Sequence, residues 1–230
     1  SLMPTAAFHA AKKASQPLNV AYNYGNHALY ISNETLKTQE GLKVNVKAFD
    51  MNSQEVFSKS IPVAAPANQS NKILDLPAIK SSTPVYFLSI KLEKENKTIF
   101  DNFYWLTSKH DVLNHEKAEW FYTPIKEYAD FSSLQKLAPV SMKTIYSFKP
   151  LDEKRTGVSV KLHNPSNKIA FFIDVKVTGK KSGNSILPIF WDDNYFSLLP
   201  GETKTVNGYF FNRDTNGETP AFSFSAWNVK

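Results

Sequence analysis

A chain of 230 residues without a cysteine has room for two domains of about 100 residues each, and the inter-sheet disulfide of antibody-type domains is excluded. With 42% hydrophobic and 21% charged residues it is not a disordered chain, and its 17 Phe and 10 Tyr favour strands over helices. The net charge is +6, with +4 in residues 139–230 and −1 in residues 108–138; no concentrated basic stripe with base-reading elements goes with it, so nucleic acid is not an expected partner.

Residues 4–15 are rich in Ala and Lys, open on Pro4-Thr5 and stop before Pro17, which predicts a short helix. Its apolar positions are too few for an independent fold. From Pro17 the period changes to two. Leu18, Val20, Tyr22 and Tyr24 alternate with polar or small residues, Tyr24 to His27 makes a turn, and Ala28 to Ser32 returns as a hairpin. Leu42, Val44, Val46 and Ala48 then alternate with Lys43, Asn45 and Lys47, so one face is buried and one wet. Asp50 to Ser53 turns the chain into a strand over Glu55 to Ile61. A loop is expected at Pro62 to Ser70, then strands around Ile73 to Leu76, Val85 to Glu93 and Thr98 to Thr107. That is about seven strands, the number of an immunoglobulin-like sandwich.

Residues 108–138 break this pattern. Trp120-Phe-Tyr122 precedes Thr123-Pro124, and Ile125, Tyr128, Phe131 and Leu134 recur at helical or turn-like spacing, which predicts an ordered linker packed on neighbouring domains. A second β unit starts near Val140 with Ile145, Tyr146 and Phe148. Val158, Val160 and Leu162 alternate, Asn164 to Asn167 turns, and Phe171, Ile173, Val175 and Val177 follow. Ile186 to Trp191, Asn194 to Leu199, Thr203 to Asn212 and Ala221 to Val229 complete about seven more strands. In the corner Pro200-Gly201-Glu202, Pro200 fixes φ and Gly201 permits a positive one. The expected architecture is all-β: two tandem immunoglobulin-like β-sandwiches at 17–107 and 139–230, an N-terminal helix in 1–16 and a linker at 108–138. No sequence repeat relates the two halves by eye.

Few residues suggest chemistry. The only Asn-Glu pair, Asn33-Glu34, follows an alternating strand and reads as a turn with a solvated acid. Asp192-Asp193, beside Trp191 and Tyr195, could bind a sugar: the aromatic faces would stack on a pyranose and the acids would take hydroxyl hydrogen bonds. Trp191, Asp192 and Tyr195 are therefore the candidate carbohydrate contacts, with core packing and solvated turn acids the preferred reading. His9, His27, His110, His115 and His163 are scattered, so no metal is expected. With 8 glycines, and neither a Gly-x-Ser-x-Gly elbow nor a phosphate loop, no catalytic residue and no cofactor are expected. Asn33-Glu-Thr, Asn68-Gln-Ser and Asn96-Lys-Thr match the glycosylation acceptor pattern. No apolar run approaches the roughly 18 residues of a membrane span, and Ser1-Leu-Met-Pro4 lacks the apolar core of a signal peptide.

Two strings carry a resemblance. Trp191-Asp-Asp-Asn-Tyr-Phe-Ser-Leu-Leu-Pro-Gly-Glu202 resembles the C-terminal immunoglobulin-like domain of family 2 glycoside hydrolases of the β-mannosidase and exo-β-D-glucosaminidase branch. Ala6-Ala-Phe-His-Ala-Ala-Lys-Lys-Ala-Ser-Gln-Pro-Leu18 resembles the place where the last helix of that family's catalytic barrel leaves for the next domain. The resemblance implies that residues 1–16 are the remnant of that helix and that the partners are the catalytic barrel and N-terminal domains of a parent chain. It implies a retaining parent whose two carboxylates, about 5 to 5.5 Å apart, lie on the barrel, with mannosides favoured over glucosaminides. A periplasmic or secreted parent goes with it. A carbohydrate-binding module contacting an oligosaccharide, and a free-standing two-domain adhesion protein, are the alternatives.

Overall fold

Strict alternation along a strand decides which side chains meet the core. In the computed structural model, which describes residues 3–230, the helix α1 (Ala6–Ala14) precedes seven strands: β1 (Leu18–Asn23), β2 (Ala28–Asn33), β3 (Gln39–Asp50), β4 (Glu55–Ala65), β5 (Gln69–Asp75), β6 (Val85–Lys94) and β7 (Lys97–Thr107). Ser1 and Leu2, part of the signal-peptide and helix readings, lie outside the described residues.

These strands form one unit over Gln16–Leu137, with a three-stranded sheet β1-β2-β5 facing a four-stranded sheet β4-β3-β6-β7. Val20, Leu29, Ile31 and Leu74 of the first sheet share a core with Leu42, Val44, Val46, Leu88, Ile90 and Leu92 of the second. Burying one such Val or Leu contributes about 1.5–3 kcal/mol. β6 is buried on both faces: Phe87, on the face opposite that core, meets Phe103 with ring centroids 5.6 Å apart.

The expected loop at 62–70 is mostly strand. β4 runs through Pro62, which sits opposite Lys43 on β3. β4 is the edge of its sheet, and there the missing proline N–H interrupts no ladder.

The linker segment holds a small two-stranded sheet, β8 (Val112–Leu113) with β9 (Ile125–Glu127), and two short 3₁₀ helices at His115–Lys117 and Ser132–Lys136.

The second unit joins Ala138–Lys230 with the N-terminal helix. Its strands are β10 (Lys143–Pro150), β11 (Arg155–His163), β12 (Ala170–Gly179), β13 (Ile189–Trp191), β14 (Phe196–Leu198), β15 (Thr203–Phe211) and β16 (Pro220–Ser225). A sheet β10-β11-β15-β13 faces β14-β12-β16, and Val160, Leu162, Val206 and Phe210 pack with Ile173, Val175, Val177 and Leu198. β12 changes partner along its length: Ala170 and Ile173 pair with β14, and Asp174 to Gly179 pair with β16. The shift falls at Phe172, whose φ is +56°. Both halves are thus all-β sandwiches of three strands on four.

Candidate functional site

The corner between β13 and β14 holds the three carbohydrate-contact candidates. Trp191 ends β13 opposite Gly208 of β15. Its side chain is only 4% exposed, and it lies over Gly208, where an added Cβ would come 2.7 Å from Trp191 Cε3 and 2.9 Å from the Phe190 carbonyl. No ring face is left for a sugar.

The two acids that follow sit in the turn, Asp192 exposed and Asp193 half-buried, and both have protein partners. Asp192 Oδ1 accepts from the backbone N–H of Asn207 at 2.9 Å and of Asp193 at 2.8 Å, and Oδ2 accepts from Asn207 Nδ2 at 3.2 Å. Asp193 Oδ1 accepts from the Asn194 N–H at 2.9 Å, while its Oδ2 sits 3.2 Å from Lys13 Nζ and 2.8 Å from Lys204 Nζ. Asn194, buried, accepts from the N–H groups of Val175 and Tyr195 at 2.8 and 2.9 Å. This row of Asx bonds satisfies the backbone where the strand ends and holds Tyr195 at φ +55°.

Tyr195 then turns towards the helix. Its ring centroid is 5.5 Å from that of Phe172 and 5.7 Å from that of His9. Burial raises the Tyr195 phenol above its ordinary value, with the Asp174 carboxylate adding to the shift. His9 is buried, and burial, followed by the Lys12 ammonium, lowers its imidazole below the ordinary value. Lys12 Nζ donates to the carbonyls of Trp191 at 2.8 Å and Asp192 at 3.0 Å. His9 Nδ1 and Trp191 Nε1 are both buried without a partner and line the same small cavity with Asp174, Lys176 and Tyr195. The cavity has room for an ordered water between these groups.

The structure therefore brings Trp191, Asp192 and Tyr195 together, and adds His9, Lys12, Lys13 and Lys204, which sequence reasoning missed. The helix and the corner are some 180 residues apart in the chain, so no local pattern links them. Elsewhere Asn33 is buried and Glu34 exposed. Of the histidines, His27 and His110 come together, with ring centroids 5.3 Å apart. The Tyr22 hydroxyl lies 2.6 Å from His27 Nδ1, and burial, then Tyr86, push that phenol up to about 12. Among the described residues no three His, Cys, Asp or Glu side chains gather as a metal site.

Comparison with known proteins accounts for both sandwiches. Residues 120–229 match the family described as the exo-beta-D-glucosaminidase Ig-fold domain, and residues 25–110 match the mannosidase Ig/CBM-like domain. The chain is homologous to the C-terminal immunoglobulin-like region of family 2 glycosidases. An exo-beta-D-glucosaminidase from Amycolatopsis orientalis is 30% identical over 229 residues, 97% of this chain and 22% of that protein. One from Hypocrea jecorina is 31% identical, covering 87% of this chain and 23% of the relative. A mannosylglycoprotein endo-beta-mannosidase from Lilium longiflorum is 25% identical, covering 97% of this chain and 28% of the relative. The crystal structure of the Amycolatopsis orientalis exo-chitosanase superposes with a TM-score of 0.92 at 30% identity, over 97% of this chain and 27% of that one. A beta-D-mannosidase from Dictyoglomus thermophilum shares the fold at 14% identity and a TM-score of 0.57. The chain spans about a quarter of the length of these curated relatives.

Proposed function

We propose that this family 2 C-terminal region is a non-catalytic scaffold in a retaining exo-β-glycosidase that removes glucosamine-type residues. The supporting observation is similarity along 97% of the chain to a protein named exo-beta-D-glucosaminidase, at 30% identity. The sequence had leaned towards mannosides, but the mannosidase-named relative is more distant, at 25% identity. Retention needs two carboxylates about 5 to 5.5 Å apart and free to meet the substrate. The adjacent acids of this chain, Asp192 and Asp193, have all four oxygens engaged by protein donors. The catalytic pair belongs to the parent's barrel, which with the N-terminal domains is this region's partner.

In this reading Trp191, Asp192 and Tyr195 bind no oligosaccharide and instead seat the N-terminal helix on the C-terminal sandwich. The helix is the final piece of the barrel domain, and its seat joins the C-terminal sandwich to the catalytic part.

The test is hydrolysis of a chromogenic β-D-glucosaminide and of the matching β-D-mannoside by the full-length gene product and by the 230-residue chain. Glucosaminide cleavage by the full-length protein alone is expected. Cleavage by the 230-residue chain would overturn the scaffold assignment, and a preference for the mannoside would overturn the substrate class.

A further inference from the structure

Residues 108–133 combine an ordered backbone with the absence of a core. No residue in this stretch is buried. Its backbone is nevertheless specified: β8 pairs with β9, the Asn114 N–H donates to the Pro124 carbonyl at 2.8 Å, and the Glu119 N–H donates to the Tyr122 carbonyl at 2.7 Å. An isolated two-stranded ribbon is marginal in water, and fixing each residue costs about 1–2 kcal/mol of conformational entropy. Backbone bonds of about 1 kcal/mol net do not offset that without buried apolar area.

The apolar area exists and points outwards. Trp120 is 94% exposed, Tyr128 68%, Phe121 65%, Tyr122 55%, Leu113 47% and Val112 43%. Trp120 and Phe121 stand edge to face at the tip, with centroids 4.9 Å apart. Aromatic residues gathered in this way mark interfaces, where Trp and Tyr supply much of the binding energy.

We infer that Val112, Leu113, Trp120, Phe121, Tyr122 and Tyr128 form the surface on which the rest of the parent polypeptide, its catalytic part, docks. This rests on the reading of the chain as part of a longer glycosidase. Two observations favour that occupant. About three quarters of each curated relative lies outside the region matched by this chain, so a large covalently attached body is available. The segment also needs permanent cover to stay ordered, which a passing oligosaccharide does not give. Trp120, at the tip and almost fully exposed, is the anchor.

Each sandwich carries its own core, so the 230-residue chain serves as a reference state. Hydroxyl-radical footprinting at equal radical dose, read by mass spectrometry, compares that chain with the full-length polypeptide. Modification of Trp120 and Phe121 is expected to fall at least ten-fold in the full-length protein, with or without sugar. Unchanged rates would overturn the docking surface. So would protection that grows with concentration in the 230-residue chain, which would mean a second copy, or protection that needs added glucosamine oligosaccharide, which would mean a sugar platform. Glucosaminide hydrolysis measured on the same samples separates the two readings. An inactive full-length protein with Trp120 protected would sink the glycosidase assignment and leave the docking surface standing.

Discussion

Asn33 and Asn164 hold equivalent positions in the two sandwiches. Each is buried, at 1% and 0% exposure. Each donates through Nδ2 to the carbonyl of a lysine four residues on, Lys37 at 2.9 Å and Lys168 at 2.7 Å, and to a second carbonyl across the sandwich, Ala65 at 2.8 Å and Leu198 at 3.2 Å. In each, a hydroxyl two residues on, Thr35 or Ser166, donates to Oδ1 at 2.7 or 2.8 Å. The shared string is Asn-x-Thr/Ser-x-Lys, a short internal repeat that the sequence did not reveal by eye.

Replacing either asparagine with alanine removes a buried hydrogen bond to the carbonyl of Ala65 or Leu198, while the Lys37 and Lys168 carbonyls keep the Thr35 and Ser166 hydroxyls; losing the donor to a buried carbonyl costs about 1–3 kcal/mol. Asn33→Ala and Asn164→Ala are each expected to lose about 2 kcal/mol in urea unfolding, whereas Thr35→Val loses about 1 kcal/mol with its single hydroxyl. A loss within error for Asn164→Ala would show that the corner does not support the fold.

The same burial sorts the three glycosylation patterns. Asn68 and Asn96 are exposed, at left-handed positions with φ of +51° and +61°. Asn33 has its amide inside the corner, where a glycan does not fit. Folded protein from a glycosylating host should carry sugar at Asn68 or Asn96 and none at Asn33, as peptide mass spectrometry would show. A glycan on Asn33 in folded material would contradict the buried corner.

His9 links stability to pH. Its folded-state value lies below the ordinary 6.5, chiefly through burial and then through Lys12, with Lys13 acting the same way and Asp193 and Asp174 opposing. The unfolded chain takes up the proton first, so stability is full above about pH 6.5 and is lost as pH falls towards the folded value. Amide protection factors across residues 6–14, corrected for the intrinsic pH dependence of exchange, should fall between about pH 7 and pH 5, and more steeply than in His9→Gln. Equal pH dependence in the two proteins would remove His9 as the cause.

Gly208 is required beneath Trp191. A methyl group there meets the indole at 2.7 Å and the Phe190 carbonyl at 2.9 Å, and neither is the free end of a flexible chain. Overpacking of this kind costs about 1–3 kcal/mol, so Gly208→Ala should lower the unfolding midpoint of the C-terminal sandwich. An unchanged midpoint would mean that Trp191 has room to move.

Several elements were legible in the sequence because strand alternation is local. Leu42, Val44, Val46 and Ala48 face the core as their spacing required, and Val158, Val160 and Leu162 do the same in the second half. The strand through Pro62 was not legible, since an edge position is a property of the sheet and not of the segment. The 186–199 region was read as longer strands than exist. Asp192 to Asn194 use their side chains in turn hydrogen bonds, leaving Ile189–Trp191 and Phe196–Leu198 as strands.

The site candidates show the same division. Trp191, Asp192 and Tyr195 stand out by residue type, yet nothing local says that an indole lies over Gly208 or that Asp193 meets Lys13 and Lys204. By itself the sequence determined the all-β class, the two sandwiches and the family, because side-chain period and motif strings are properties of neighbours in the chain. Only the tertiary structure decided where the N-terminal helix lies, which acids are occupied and which aromatics stand in solvent. Those depend on contacts that run from 15 positions, between Asp192 and Asn207, to 180, between Lys13 and Asp193, which folding brings together and periodicity does not encode.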